Sequence, residues 1–178
     1  MIKELNIRHL IWLLPLVYII HNLEEGLTLQ LWLGEHPSLI NLALKKQLPA
    51  WFWQNFNLVR NVALIIASIL PFGLVFFINS FAKQRYVTYI FTVMAWITLI
   101  NSFQHVAMTV FLRVYTPGVV SAAFINIPFA IILLNFIQKM QDAVLPKKIK
   151  WFVIAFATYP VIMVFIWFIA LLCVRLVV

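Results

Sequence analysis

His21, Glu24 and Glu25 stand three and four residues apart, a spacing that brings side chains onto one face of an α-helix. Further along, His105 follows Asn101 by four residues, so a second helix face offers an imidazole beside an amide. Such groups can hold a divalent cation or pass protons. A catalytic zinc takes three protein ligands and leaves a fourth position for water. His21, Glu25 and His105 form the expected ligand set, with zinc the first expectation and iron the second. Glu24 is then the expected general base on the bound water. Asn101 is expected to orient a ligand or substrate, and Tyr115 to donate a hydrogen bond to a developing oxyanion. Two neutral imidazoles and two carboxylates also balance a divalent cation with no charge left over, which matters where the dielectric is low.

The ordering H-x-x-E-E resembles the inverted zinc-protease motif H-x-x-E-H with its last histidine replaced by glutamate. A second chemistry needs no metal. Two adjacent carboxyls in a dry site cannot both ionise easily, so one keeps its proton and serves as an acid. With His21 and His105 as proton carriers and Arg60 offsetting the remaining carboxylate, such a site would isomerise or cyclise an isoprenoid- or sterol-like lipid. A third reading is a proton- or ion-coupled carrier, disfavoured by the lack of an internal repeat. The purely structural alternative is an ion pair of the motif with Arg60, with Asn101 and Asn126 as interhelical glue.

The elements that must position these groups are membrane helices. The chain has 178 residues, 65% of them hydrophobic, 16% aromatic and 10% charged, with a mean hydropathy of +1.01. Soluble domains are about 45–50% apolar and about 25% charged. A water-soluble globule and a disordered chain are therefore excluded. The net charge of +8 does not point to nucleic acid, because the basic residues sit at the ends of apolar runs. Cys173 is the only cysteine, so no intrachain disulfide can form.

A helix crossing the hydrocarbon needs roughly 20 apolar residues. Five segments qualify: residues 10–33, 54–80, 86–113, 119–140 and 151–174. The expected fold is all-α, one membrane-embedded domain over residues 1–178, with a short amphipathic helix at Ser38–Leu48 lying on the surface as a lid. Pro15, Pro71, Pro128 and Pro160 fall inside spans and should kink them. Trp51 and Trp53 are placed to anchor span two at the interface. Eight basic residues (Lys3, Arg8, Lys83, Arg85, Lys139, Lys147, Lys148, Lys150) share the side of the N-terminus, against five (Lys45, Lys46, Arg60, Arg113, Arg175) on the other. The positive-inside rule puts the N-terminus in the cytoplasm and the C-terminus outside. On that topology Glu25, Arg60, His105 and Asn126 all lie roughly 9–12 Å below the outer surface, counted at about 1.5 Å per residue. A buried charge at that depth costs about 2.5–3.5 kcal/mol on insertion scales, so it is expected to face the bundle interior.

Three motifs occur in order: H-x-x-E-E at residues 21–25, N-x-x-x-H at 101–105 and Y-x-P-G at 115–118. Together they resemble the HXXEE family of small bacterial integral membrane proteins, over roughly residues 21–118. The resemblance implies a location in the bacterial inner membrane. It also implies that His21, Glu24, Glu25, Asn101, His105, Tyr115, Pro117 and Gly118 share one active site. It names no substrate. Pro117-Gly118 reads, from the residues alone, as the turn that starts span four. The membrane setting points to a lipid-like or membrane-soluble substrate, and a homo-oligomer is compatible with it.

Overall fold

The computed structural model describes residues 10–36, 49–81, 84–141 and 145–178. Among these, every regular element is a helix. We number them α1 (Leu13–Glu35), α2 (Ala50–Gln54), α3 (Phe56–Phe81), α4 (Gln84–Leu112), α5 and α6 (Leu145–Val177). Helix α5 covers residues 119–141: an α-turn at Val119–Ser121, a π-helical turn at Ala122–Asn126 and an α-helix at Ile127–Gln141. The amphipathic segment expected at Ser38–Leu48 lies outside the described residues. What precedes span two among them is the aromatic helix α2, with Trp51 and Trp53.

Helices α3, α4, α5 and α6 are each long and apolar enough to cross a membrane. The fifth expected span, α1, has 23 residues, but His21, Asn22, Glu24 and Glu25 interrupt its apolar run.

Helix α1 packs on α3 and on the π turn of α5, α3 packs on α6, and α4 is sandwiched by α5 and α6. The larger buried cluster joins Ile11, Leu14 and Val17 to Phe91 and Ala95 of α4 and to Ala130 and Leu133 of α5. The smaller one seals α3 to α6 through Val59, Ala63, Ile166 and Ala170. The outside is apolar too, with Ile69, Phe77, Phe156 and Val164 all exposed. Where the surroundings are as apolar as the core, close packing and interhelical hydrogen bonds hold helices together. Three such bonds are Asn22 Nδ2 to Ser68 Oγ (2.9 Å), Thr98 Oγ1 to Tyr18 OH (3.2 Å) and Asn101 Nδ2 to Tyr159 OH (2.8 Å). Bonds of this kind contribute about 0.6–2 kcal/mol each.

The prolines divide by position. Pro15 is the third residue of α1, where a helix has no internal acceptor for its N–H anyway. Pro71 and Pro160 sit inside α3 and α6. Pro128 cannot donate to the Phe124 carbonyl and its ring crowds it. The π turn over Ala122–Asn126 widens the helix at that point.

Candidate metal centre

Helix α1 presents His21 and Glu25 one turn apart, and α4 presents His105 toward them. One ligand atom from each of His21, Glu25 and His105 lies within 4.8 Å of the others, so this group could hold a metal ion. The two imidazoles meet edge to face, with ring centroids 4.7 Å apart.

The partners of the rings decide which nitrogens are free. His105 Nδ1 lies 2.8 Å from the Pro117 carbonyl oxygen. A carbonyl only accepts, so Nδ1 carries the proton and Nε2 keeps its lone pair. His21 Nδ1 lies 2.9 Å from Ser121 Oγ. Ser121 Oγ in turn donates to the Gly118 carbonyl at 3.2 Å. That donation leaves the serine oxygen to accept from His21, and the lone pair of His21 again falls on Nε2. His21 is 4% exposed, and its Nε2 is buried without a hydrogen-bond partner. Both rings are thus set as metal-binding imidazoles usually are, with one nitrogen donating to a protein oxygen and the other open.

Each residue of the Y-x-P-G stretch contributes. Tyr115 OH donates to Glu24 Oε1 at 2.8 Å. Partial burial, and then the neighbouring Glu24 carboxylate, push the Tyr115 phenol above its ordinary range, so it stays a donor. Thr116 Oγ1 donates to the His105 carbonyl at 3.3 Å. Pro117 supplies the acceptor for His105. Gly118 has φ of +83°, and a Cβ built there would stand 2.9 Å from His21 Cε1 and 3.1 Å from His105 Cε1. Only glycine fits between the two imidazoles.

Glu24 stands outside the ligand group. Its Oε1 accepts from Val120 N–H at 3.1 Å as well as from Tyr115, and its Oε2 accepts from Ser121 N–H at 2.6 Å. The carboxylate therefore sits on the N-terminus of α5, where free N–H groups and the helix dipole favour a negative charge.

Beside the ligand group lies a cavity of about 140 Å³ between α1, α3, α4 and α6. Its polar lining includes His21, Glu25, Arg60, Asn101 and Tyr159, and its apolar lining includes Leu70, Met94 and Ile97. Arg60 is 3% exposed, and its Nε and Nη2 donate to Asn61 Oδ1 at 3.1 and 2.8 Å.

A family model described as a protein of unknown function with HXXEE motif matches residues 12–133. The chain belongs to the HXXEE family. No curated protein and no solved structure matches it.

The structure resolves the HXXEE motif into two functions. His21 and Glu25 face His105; Glu24 clamps α1 to α5. The other expected residues divide in the same way. Arg60 and Asn101 reach the cavity, and Asn101 Nδ2 donates there to Tyr159. Tyr115 is tied to Glu24. Asn126 is buried in the π turn with its Oδ1 unpartnered, and it does not line the cavity. Two residues of the site escaped the sequence reading. Ser121 carries a weak signal as a hydroxyl three residues after a turn glycine. Tyr159, a phenol in the middle of an apolar run and next to Pro160, carries a stronger one.

Proposed function

We propose that this chain is an integral membrane metalloenzyme, and that His21, Glu25 and His105 hold a divalent ion, zinc in the first instance and iron in the second. One observation carries the reading: the buried, unpartnered Nε2 of His21, beside Glu25 and His105, on a ring whose other nitrogen is already satisfied. A buried acceptor without a partner costs about 1–3 kcal/mol, and an ion at that nitrogen removes the cost. When bound, such an ion supplies Lewis acidity and an activated water, which fits hydrolysis of a lipid-like or membrane-soluble substrate.

In this reading Glu24 is a positioning residue and not the general base, since both of its oxygens are engaged with Tyr115 and α5. Glu25 has two oxygens, one to ligate and one to take a proton. Tyr115 steadies Glu24 instead of an oxyanion. Asn101 and Tyr159 line the cavity as a hydrogen-bonded pair, with the Tyr159 hydroxyl donating on to Gln104 Oε1.

We read α1 as the fifth span. Leu13, Leu16, Ile20, Leu23, Leu27 and Leu31 are all exposed and follow one another at steps of three and four. This stripe runs about 27 Å at about 1.5 Å per residue, close to the roughly 30 Å of hydrocarbon. The polar face of α1 looks inward, the reverse of a soluble amphipathic helix. Five spans place the N-terminus in the cytoplasm of a bacterial inner membrane and the C-terminus outside.

Elemental analysis of purified protein tests the centre. One zinc or iron per chain is expected in wild type, with loss in both His21→Ala and His105→Ala. A metal-free wild type would overturn it. The cavity beside Glu25 would then favour the second reading, acid–base isomerisation or cyclisation of an isoprenoid-like lipid without metal.

A further inference from the structure

The cavity holds two polar groups left without partners, and they differ in kind. His21 Nε2 is an acceptor that awaits a cation. Arg60 Nη1 is a donor, buried and unpartnered, on a side chain that lines the same cavity. Asn61 occupies Nε and Nη2, so the hydrogen-bond partner of the guanidinium is a neutral amide, and Glu25 is the carboxylate that acts on its charge. A buried guanidinium nitrogen keeps a free N–H at a cost unless something accepts from it.

The charges around the cavity say what that acceptor is. Two carboxylates stand at the site, and Glu24 keeps its charge while it accepts from the α5 N-terminus and Tyr115. Glu25 alone faces Arg60 and the ligand nitrogens. With a divalent ion, Glu24 and Glu25 at minus one each stand against the ion at plus two and Arg60 at plus one. The excess is positive, in surroundings that screen it poorly. An oxyanion removes the excess and fills the Nη1 hydrogen bond in one step.

The geometry points to an amphiphile with a small oxyanion head, carboxylate or phosphate, as the ligand of this cavity. The head takes the free N–H of Arg60, in a cavity that Asn101 and Tyr159 also line. The apolar portion lies toward Leu70, Met94 and Ile97. A volume of about 140 Å³ is close to that of an engineered cavity of about 150 Å³ that accepts benzene, so the enclosed apolar portion is short. The charge argument rests on the metal reading; the unpartnered Nη1 does not.

The experiment uses the full chain in lipid nanodiscs and two photoactivatable probes, a diazirine-bearing octanoate and the matching octanol. Labelling is read by intact mass, and zinc is measured on the same samples. The acid is expected to label the wild-type cavity about tenfold more than the alcohol. Octanoate and octyl phosphate should compete; inorganic phosphate at the same concentration should not. Arg60→Gln should abolish the acid preference at unchanged zinc content, and Arg60→Lys should keep part of it. Equal labelling by acid and alcohol in wild type overturns the inference, as does an acid preference that survives Arg60→Gln. Competition by inorganic phosphate assigns the site to a free anion and overturns the amphiphile. Zinc without acid preference defeats this inference alone; acid preference without zinc defeats the metal reading alone.

Discussion

Replacing Gly118 with alanine tests the site without touching a ligand. The residue has φ of +83°, where a non-glycine side chain costs about 1–2 kcal/mol. The new methyl would also meet His21 Cε1 at 2.9 Å and His105 at 3.1 Å, so both rings must move by a few tenths of an ångström. Neither ring is free to do so. His21 is tied to Ser121, and His105 to the Pro117 carbonyl. Weakening these two bonds adds up to about 1 kcal/mol each. We expect a loss of roughly 2–4 kcal/mol in stability, and a metal affinity reduced about 10- to 100-fold, as for other changes to groups that orient ligands. Thermal unfolding in detergent with and without zinc, together with competitive zinc titration, reads both. Gly73→Ala is the control. Gly73 sits inside α3 with nothing within 4 Å of a built Cβ, and alanine there should be neutral or stabilising. If Gly118→Ala unfolds and binds zinc as wild type does, the imidazoles are not gripped by this loop and the assignment of the site fails.

Ser121→Ala removes the acceptor of His21 Nδ1 and should weaken zinc binding about 10- to 100-fold with little change in helix content by circular dichroism. Glu24→Gln and Glu25→Gln should separate cleanly. The first gives up hydrogen bonds to a charged acceptor, about 1.5–3 kcal/mol, and keeps zinc; the second loses zinc. A zinc-free Glu24→Gln protein would restore that residue to the ligand shell. Because the Tyr115 phenol is raised in the folded protein, its bond to Glu24 contributes stability in full below the ordinary tyrosine value of about 10. That contribution is lost as pH rises through the raised value. Wild type should therefore show an alkaline fall in thermal midpoint that Tyr115→Phe lacks.

The convergence of His21, Glu25 and His105 was legible because helical spacing and depth below one surface are both properties of sequence. So were the length and apolarity of α3 to α6, enough to cross a membrane, and the presence of Arg60 at the level of the site. The direction of Glu24 was not. Residues 24 and 25 differ by about 100° around a helix, and which of them faces α4 depends on how α1 is rotated against α3 and α5. Spacing from His21 cannot fix that rotation. Backbone groups were equally hidden, since the carbonyls of Pro117 and Gly118 leave no mark in residue type. Pro117 and Gly118 read as a turn, and they are one; their second task, to hold the rings, emerges only in three dimensions. The four-span count by length and composition reflects the same cause. The polar groups that build the site also dilute the apolar run of α1.

The six residues between α4 and α5 look from their length like an ordinary connection. Yet one of their carbonyls orients one histidine, another anchors the serine that orients the other, and their tyrosine secures α1. Such a stretch has no slack. Inserting a single residue at 113–118 would throw both rings out of alignment at once, so this hairpin should reject epitope tags and length variation that surface loops ordinarily absorb. Engineering of this scaffold has to begin elsewhere.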